Sequence, residues 1–250
     1  MGHMCGRITQ KSPPDQLGLK IASLVEPLHV PRYNGAPGQE QWVIRQNPKT
    51  GERTLDRLWW GLIPHWCKDA DGGRKPINAK AETVASLPTF RDAYKRRRCL
   101  VPIDAFFEWR AIKGLKAKQP YAIGMKSGEP FALAGIGENW QRPGEEEWVR
   151  TFAIITTNSN ELVRPIHDRM PVILSPKDYD RWLSPLDPDP RDLLVPYPSE
   201  PMTMWPISTR VNKPDNDDAS ILDRVDEPVG IVVEVVGEVH APLEASGDLR

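Results

Sequence analysis

A chain of 250 residues with 39% hydrophobic and 27% charged positions fits one large domain and can bury a substantial core. Its apolar runs are too short to span a bilayer, and three cysteines (Cys5, Cys67, Cys99) make neither a disulfide framework nor a zinc-site spacing. The net charge of -1 conceals an asymmetry: from Asn212 onward three basic residues face ten acidic ones, a net of -7, so residues 1–211 carry +6, compatible with a polyanionic partner.

The chain opens Met1-Gly2-His3-Met4-Cys5-Gly6-Arg7. Met1-Gly2-His3 reads as an expression scar and Met4 as the initiator, whose removal makes Cys5 the N-terminal residue. Such a cysteine pairs an α-amine of pKa about 7.7–8.0 with a thiol of about 8.5, so one residue can attack an aldehyde first with nitrogen and then with sulfur. Taken alone, Cys5 reads as a small residue starting a buried strand, and the rest of the chain has to overturn that reading. No signal-peptide pattern precedes it, which makes the cytoplasm the default expectation.

Twenty-six prolines divide the chain into short segments, favouring short strands and tight connections over long helices. Ile8 and Thr9 suit a short strand, and Ser12-Pro13 a helix start, with Leu17, Ile21, Leu24 and Val25 on one face. Arg32-Tyr33-Asn34-Gly35-Ala36-Pro37-Gly38 reads as a surface loop, and Trp42–Gln46 with Thr54–Trp60 as a hairpin. Beyond it lies Trp59-Trp60-Gly61-Leu62-Ile63-Pro64-His65-Trp66. Trp59 or Trp60 is expected in the core, and Trp66 exposed, where it could stack on a base. Asn78 is placed to cap a helix, and Thr89 a second one running through Tyr94.

Lys95-Arg96-Arg97-Arg98 is the densest basic run, readable as a solvated face or a phosphate contact. Cys99-Leu100-Val101-Pro102 reads as a buried strand, which makes Cys99 a packing residue. Glu108, set among Phe106, Phe107 and Trp109, either faces solvent or occupies a site. Strands are expected at Tyr121–Met125, Phe131–Ile136 and Trp148–Thr156, then a short helix capped by Ser159, and a loop carrying His167 and Arg169. A strand at Val172–Leu174, a helix from Ser175-Pro176 through Trp182, and a strand at Met202–Ser208 follow; Ile231–Val239 is a further strand candidate in the acidic tail.

In order, Met4-Cys5-Gly6-Arg7, Arg32-Tyr33-Asn34 with Ala36-Pro37, Trp60-Gly61-Leu62-Ile63-Pro64 with Trp66, Asn78-Ala79 with Ala81-Glu82-Thr83, Phe107-Glu108-Trp109, Ile166-His167-Asp168-Arg169-Met170-Pro171, and Val211-Asn212-Lys213 near Asn216 resemble the SOS response-associated peptidase family, the abasic-site-processing proteins. The resemblance implies a single α+β domain over residues 5–218, mainly antiparallel strands in a barrel-like, bifurcated sheet surrounded by short helices, with residues 219–250 as an acidic tail. It implies a monomer that binds single-stranded DNA containing abasic sites, with no cofactor and no membrane partner. It further implies a thiazolidine crosslink through Cys5, formed by lyase-type Schiff-base chemistry, with self-removal of the leader as an accompanying peptidase activity.

By position, Glu108 would serve as acid and base, His167 would assist ring opening and Schiff-base chemistry, and Asn78 would orient the lesion. Arg7 and Arg169 would hold phosphates, with Lys80 where the family usually has arginine, a change that keeps the charge and loses the bidentate fork. Pro37, Trp66 and Trp109 would wedge or stack against bases, and Cys67 stands where some members carry a second tryptophan. Two other readings stay open: a cysteine peptidase built on Cys5 and His167, for which no peptide-groove signature is present, and a non-covalent single-strand-binding module, which makes no special demand on Cys5, Glu108 or His167.

Overall fold

The computed structural model describes residues 6–24, 30–68, 75–114 and 117–226. Cys5 and the strand candidate at Ile231–Val239 lie outside the described residues. Fourteen strands are described: β1 Ile8–Gln10, β2 Ser23–Leu24, β3 Arg32–Gly35, β4 Glu40–Gln46, β5 Arg53–Trp60, β6 Asn78–Lys80, β7 Arg98–Ile103, β8 Ala105–Arg110, β9 Gln119–Met125, β10 Phe131–Gln141, β11 Trp148–Asn158, β12 Arg169–Pro171, β13 Ile173–Leu174 and β14 Met202–Pro206. The described α-helices are α1, Arg91–Arg96, and α2, Tyr179–Leu183, and the rest of the helical structure is single 3-10 turns.

Strands β5, β4, β7, β10 and β11 are neighbours in that order, and parallel pairing of β11 with β5 (Thr151 opposite Trp59, Phe152 opposite Trp60) closes them into a barrel. The β4–β5 hairpin matches the sequence reading, with Glu40 opposite Trp59 and Gln46 opposite Arg53. Residues on alternate faces fill two different cores. Val43, Leu58, Cys99, Val101, Leu133, Phe152 and Ile154 belong to one cluster, whereas Ile44, Leu55, Leu100, Ala134, Ile136, Ala153 and Ile155 belong to a second that also takes in Tyr94 of α1 and Trp182 of α2. In β7, β10 and the middle of β11 both faces are buried, which is why Cys99–Ile103, Phe131–Ile136 and Phe152–Ile155 run apolar without alternation. The first cluster is packed to contact: a Cβ on Gly135 would lie 2.9 Å from Cys99 Sγ. Burial pushes the Cys99 thiol up to about 12, so it is inert packing as read from the sequence.

A second, five-stranded sheet has the order β14-β9-β8-β1-β3 and packs Ile8, Phe106 and Ile123 into the barrel's cluster. The mainly antiparallel, single-domain α+β architecture is the one expected, with a true five-stranded closure. Several local expectations are corrected. Ser12-Pro13 starts only a 3-10 turn, Pro14–Leu17, and Ser12 instead bonds Asp104 through its amide (3.0 Å) and its hydroxyl. Residues 32–35 are a strand, because β1 pairs with them.

Asn78 caps no helix: it begins β6, recruited by parallel pairing with Ile154–Thr156 of β11. Thr89 likewise makes no cap; the residue ahead of α1 is Phe90, without a side-chain cap bond. Asn160, not Ser159, closes the turn after β11, its Oδ1 accepting from the Val163 amide at 3.1 Å.

The basic run 95–98 is divided by its surroundings. Arg98 is buried, donating to the carbonyls of Trp182 (2.6 Å), Tyr94 (2.9 Å), Ser184 (2.6 Å) and Asp187 (2.6 Å), with the Tyr94 and Trp182 rings 5.9 and 5.5 Å from its guanidinium carbon. It is a structural staple between β7 and the two helices, not a phosphate contact.

Candidate functional site

The first turn of the site is the entry to β1. Ile8 pairs with Gly35 on one side and Phe106 on the other, and the Phe107 amide donates to Arg7 O at 3.0 Å, which sets Gly6-Arg7 beside the Phe107-Glu108-Trp109 end of β8. The Arg7 guanidinium donates to Asn34 Oδ1 (2.8 Å) and the Val211 carbonyl, and lies 5.9 Å from the Trp109 ring centre. Burial lowers its pKa from the ordinary arginine value, yet the guanidinium remains the charged form in a site built of acceptors.

Asn34 is the hub of this corner. Its amide nitrogen donates to Val211 O (3.2 Å), Lys213 O (3.0 Å) and Asn216 O (2.8 Å), while Asp217 accepts from the Tyr33 and Asn34 amides at 2.6 and 2.8 Å. Trp109 Nε1 donates to Asn212 Oδ1 at 2.7 Å. Two motif segments nearly 180 residues apart are therefore the halves of one clasp holding Arg7 and Trp109. Sequence reasoning singled out both segments and missed that they meet, and it gave Asn34 no role.

Across from this corner, β6 presents Asn78 and Lys80 on one face and buries Ala79 on the other, the alternation a strand imposes. Between them opens a cleft of about 830 Å³, lined by Gly6, Arg7, Pro37, Asn78, Lys80 and Trp109 together with Lys75, Thr83, Leu87, Thr89 and Phe90. Among the described residues its lining carries Arg7, Lys75 and Lys80 and no acidic side chain, so their field favours an anion. Pro37 reaches it because Gly38, at φ +76°, turns the chain so that its amide bonds Trp60 O at 2.8 Å. Thr83, Leu87 and Phe90 were not anticipated; a segment read as helix offered no face to assign them to.

The remaining predicted residues sit around the cleft rather than on its wall. Glu108 is only 3% exposed, on β8 opposite Tyr121, which settles that it does not face solvent. Arg169 starts β12 and makes a bidentate pair with Glu82 (2.7 and 2.9 Å) while donating to Thr156 O at 2.6 Å. Thr156 pairs with Lys80 in β6, so Arg169, Glu82 and Lys80 share one edge of three adjacent strands. The hydrogen bonds from Arg169 hold the Glu82 carboxyl below the usual carboxylate range.

His167 precedes that strand. Its Nδ1 accepts from the Arg169 amide at 3.1 Å and lies 2.9 Å from Asp168 Oδ1. The two contacts demand opposite states of one nitrogen: bare, Nδ1 takes the amide, and carrying a proton, in either the neutral Nδ1–H tautomer or the imidazolium, it donates to the carboxylate. Trp60 is 1% exposed and Trp59 45%, and Trp66 stands out at 55% on its loop, as expected. That loop is tied down by Trp140 Nε1 donating to Cys67 O (2.6 Å) and by His65 Nδ1 3.3 Å from Glu138.

Among the described residues no group of three or more His, Cys, Asp or Glu side chains could hold a metal ion, and no helix is long and apolar enough to cross a membrane.

The comparisons with known proteins point one way. The chain is 40% identical over 226 residues to the abasic site processing protein YoqW of Bacillus subtilis, covering 88% of this chain and 99% of that one. It is 29% identical to the abasic site processing protein HMCES of Gallus gallus, over 82% of this chain and 69% of that one. A crystal structure of a protein from Bacteroides thetaiotaomicron superposes with a TM-score of 0.68 at 31% identity, covering 75% of this chain and 82% of that one. The model of the SOS response associated peptidase (SRAP) family matches residues 4–214, a span that holds the whole cleft lining and the clasp as far as Lys213, and the chain belongs to that family.

Proposed function

We propose that this protein senses abasic sites in single-stranded DNA and bonds to them covalently through Cys5. The observation that carries the reading is the basic cleft, lined among the described residues by Arg7, Lys75 and Lys80, in which Gly6, the residue after Cys5, stands with Asn78 and Trp109. The relatives' names, abasic site processing proteins, support the same substrate.

An abasic deoxyribose in its open form presents an aldehyde carbon. The Cys5 α-amine adds to it and water leaves, giving a Schiff base; the thiol then adds to the same carbon as its proton passes to the nitrogen. The carbonyl C=O is thus replaced by one C–N and one C–S bond in a five-membered thiazolidine, with one water released and no redox change. Glu108 supplies and removes the protons, and its burial among aromatics keeps that transfer out of bulk water. His167 moves a proton during ring opening, suited by an Nδ1 placed either to accept from an amide or to donate to a carboxylate. Asn78 orients the sugar, Lys80 and Arg169 hold phosphates, and Trp66 and Trp109 stack on bases. Arg7, spent on Asn34 and Val211, contributes one outward face to the phosphates and otherwise sets the Trp109 ring. The chemistry needs the Met4–Cys5 peptide bond broken, which is the leader removal a peptidase activity on this chain would perform.

The test is a denaturing gel after incubation of protein with a free Cys5 amine and single-stranded DNA carrying one abasic site. A retained band that disappears in Cys5→Ala, and in protein still carrying Met1–Met4, is the expected result. Absence of any retained band, or equal crosslinking by the extended form, would overturn it.

A further inference from the structure

A second depression lies at the other end of α1. It encloses about 650 Å³ between the β4–β5 hairpin tip, the start of β7 and Gly137–Asn139 of β10, with Arg45, Lys49, Arg96 and Arg97 around it. These positions are side by side on three neighbouring barrel strands: Arg45 is opposite Cys99, and Gly137 donates its amide to Arg97 O at 2.8 Å.

The charges are arranged to face outward. The carboxylates that hold the arginines are inside: Asp56 accepts from Arg45 Nε at 2.6 Å, Glu138 accepts from Arg97 Nη2 at 2.8 Å, and both carboxylates are at most 4% exposed. Arg97 Nε is also fixed, on Gly137 O at 3.3 Å. Among the described residues the Nη1 group of each arginine has no hydrogen-bond partner, so both guanidiniums are oriented by buried acceptors and keep a donor edge for a ligand. Lys49 and Arg96 are exposed. A pre-oriented guanidinium edge is the group that fits a phosphate.

One chain segment borders both the trough and the cleft. The segment from Thr83 to Arg97 lines the cleft with Leu87, Thr89 and Phe90 and the trough with its last two residues. Between them runs α1, six residues, about 9 Å at 1.5 Å per residue. That is two or three nucleotides at about 3.4 Å per stacked step. Arg96 and Arg97 also line a smaller depression with Asp92 and with His65, the residue before Trp66.

We propose that the trough is a second nucleic-acid contact, holding the phosphodiester backbone of DNA beyond the nucleotides in the cleft. It rests on the reading of the protein as DNA-binding. Among the described residues no aromatic side chain lines the trough, in contrast to Phe90 and Trp109 in the cleft, so it takes phosphates without regard to base.

The test uses the double charge reversal Lys49→Glu with Arg96→Glu, two exposed residues outside the reaction chemistry. Binding of undamaged DNA is followed by fluorescence anisotropy across a salt series, using a single strand of about 6 nucleotides, one of about 20, and the short strand extended by a duplex, lengths bracketing the usual single-strand site. The expected result is a roughly tenfold loss for the long strand, the duplex-flanked strand or both, with the slope of log affinity against log salt reduced by about 1 to 2. The short strand binds as before, which also reports an intact fold. Which extended DNA loses affinity tells whether the backbone held is single- or double-stranded. Unchanged binding of both extended DNAs, or an equal loss with the short strand, would overturn the trough. Crosslinking to a short abasic strand is scored separately: failure of the parent protein there would sink the proposed function and leave the trough standing, because undamaged DNA reports on it.

Discussion

The barrel and the five-stranded sheet solve the same problem, holding charged side chains in a protein interior, in opposite ways. In the barrel, Arg98 gives its whole guanidinium to four main-chain carbonyls and two rings, and nothing of it is left for a ligand. At the sheet's corner, Arg7 is held by Asn34 and Val211 yet still lines a cleft. The lesson is that a buried arginine becomes a site residue when its clasp is made from one side only. Arg98 supplies rigidity, and the clasp around Arg7 supplies an oriented charge.

Substitutions can break this division. The largest effect is expected for Arg98→Ala, which strands several buried carbonyls and opens a cavity between the helices, costing about 3–5 kcal/mol. Denaturant unfolding should show that loss, while crosslinking per folded molecule stays near the parent's rate. If activity falls further than the folded fraction does, the barrel is not merely a scaffold.

Asn34→Ala should do the reverse. Its stability cost is smaller, about 1–3 kcal/mol, because part of the clasp can rehydrate. Crosslinking by the folded protein should fall about tenfold, an order-of-magnitude figure for a misplaced site group. Rate measurements on protein confirmed folded by near-UV circular dichroism would check it, and an unchanged rate would remove Asn34 from the site.

The smallest effect is expected at the rim. The Glu82 carboxyl is held low by Arg169, so its contribution is present above the ordinary carboxylate pKa of about 4.3 and is lost as pH falls through the lower folded value. The pair is half exposed on the glutamate side, which limits it to about 0.5 kcal/mol. The difference in unfolding free energy between parent and Glu82→Gln should be seen at pH 7 and vanish in acid. A difference that persists in acid would mean that Glu82 acts by packing rather than by charge.

Much of the barrel was legible locally. The β4–β5 hairpin follows from two β-rich runs around Asn47-Pro48-Lys49-Thr50-Gly51, and the inertness of Cys99 from its apolar neighbours. The exposure of Trp66 is legible from its place beyond Pro64, and at 55% it is exposed. Residues 32–35 and 78–80 were misread for a common reason. Each is a run of three or four residues whose own preferences suit a loop or a capped helix, and each becomes strand only because a distant partner, β1 or β11, offers an unpaired edge. Arg98 was misread because charge density along a chain does not reveal which charges the helices will cover.

What the sequence determined by itself is chemical: a cysteine next to glycine near the start, and the carboxylate, histidine, asparagine and basic residues in their order. Those are properties of side chains, present whatever the chain's shape. What only the tertiary structure decided is convergence. That Asn34 meets Val211, that Asn78 and Lys80 share a face, and that Arg169 is clamped by Glu82 all depend on which strands pair and in what register. Register is set by the burial of two whole cores, a sum over residues far from the site, and no single motif contains it.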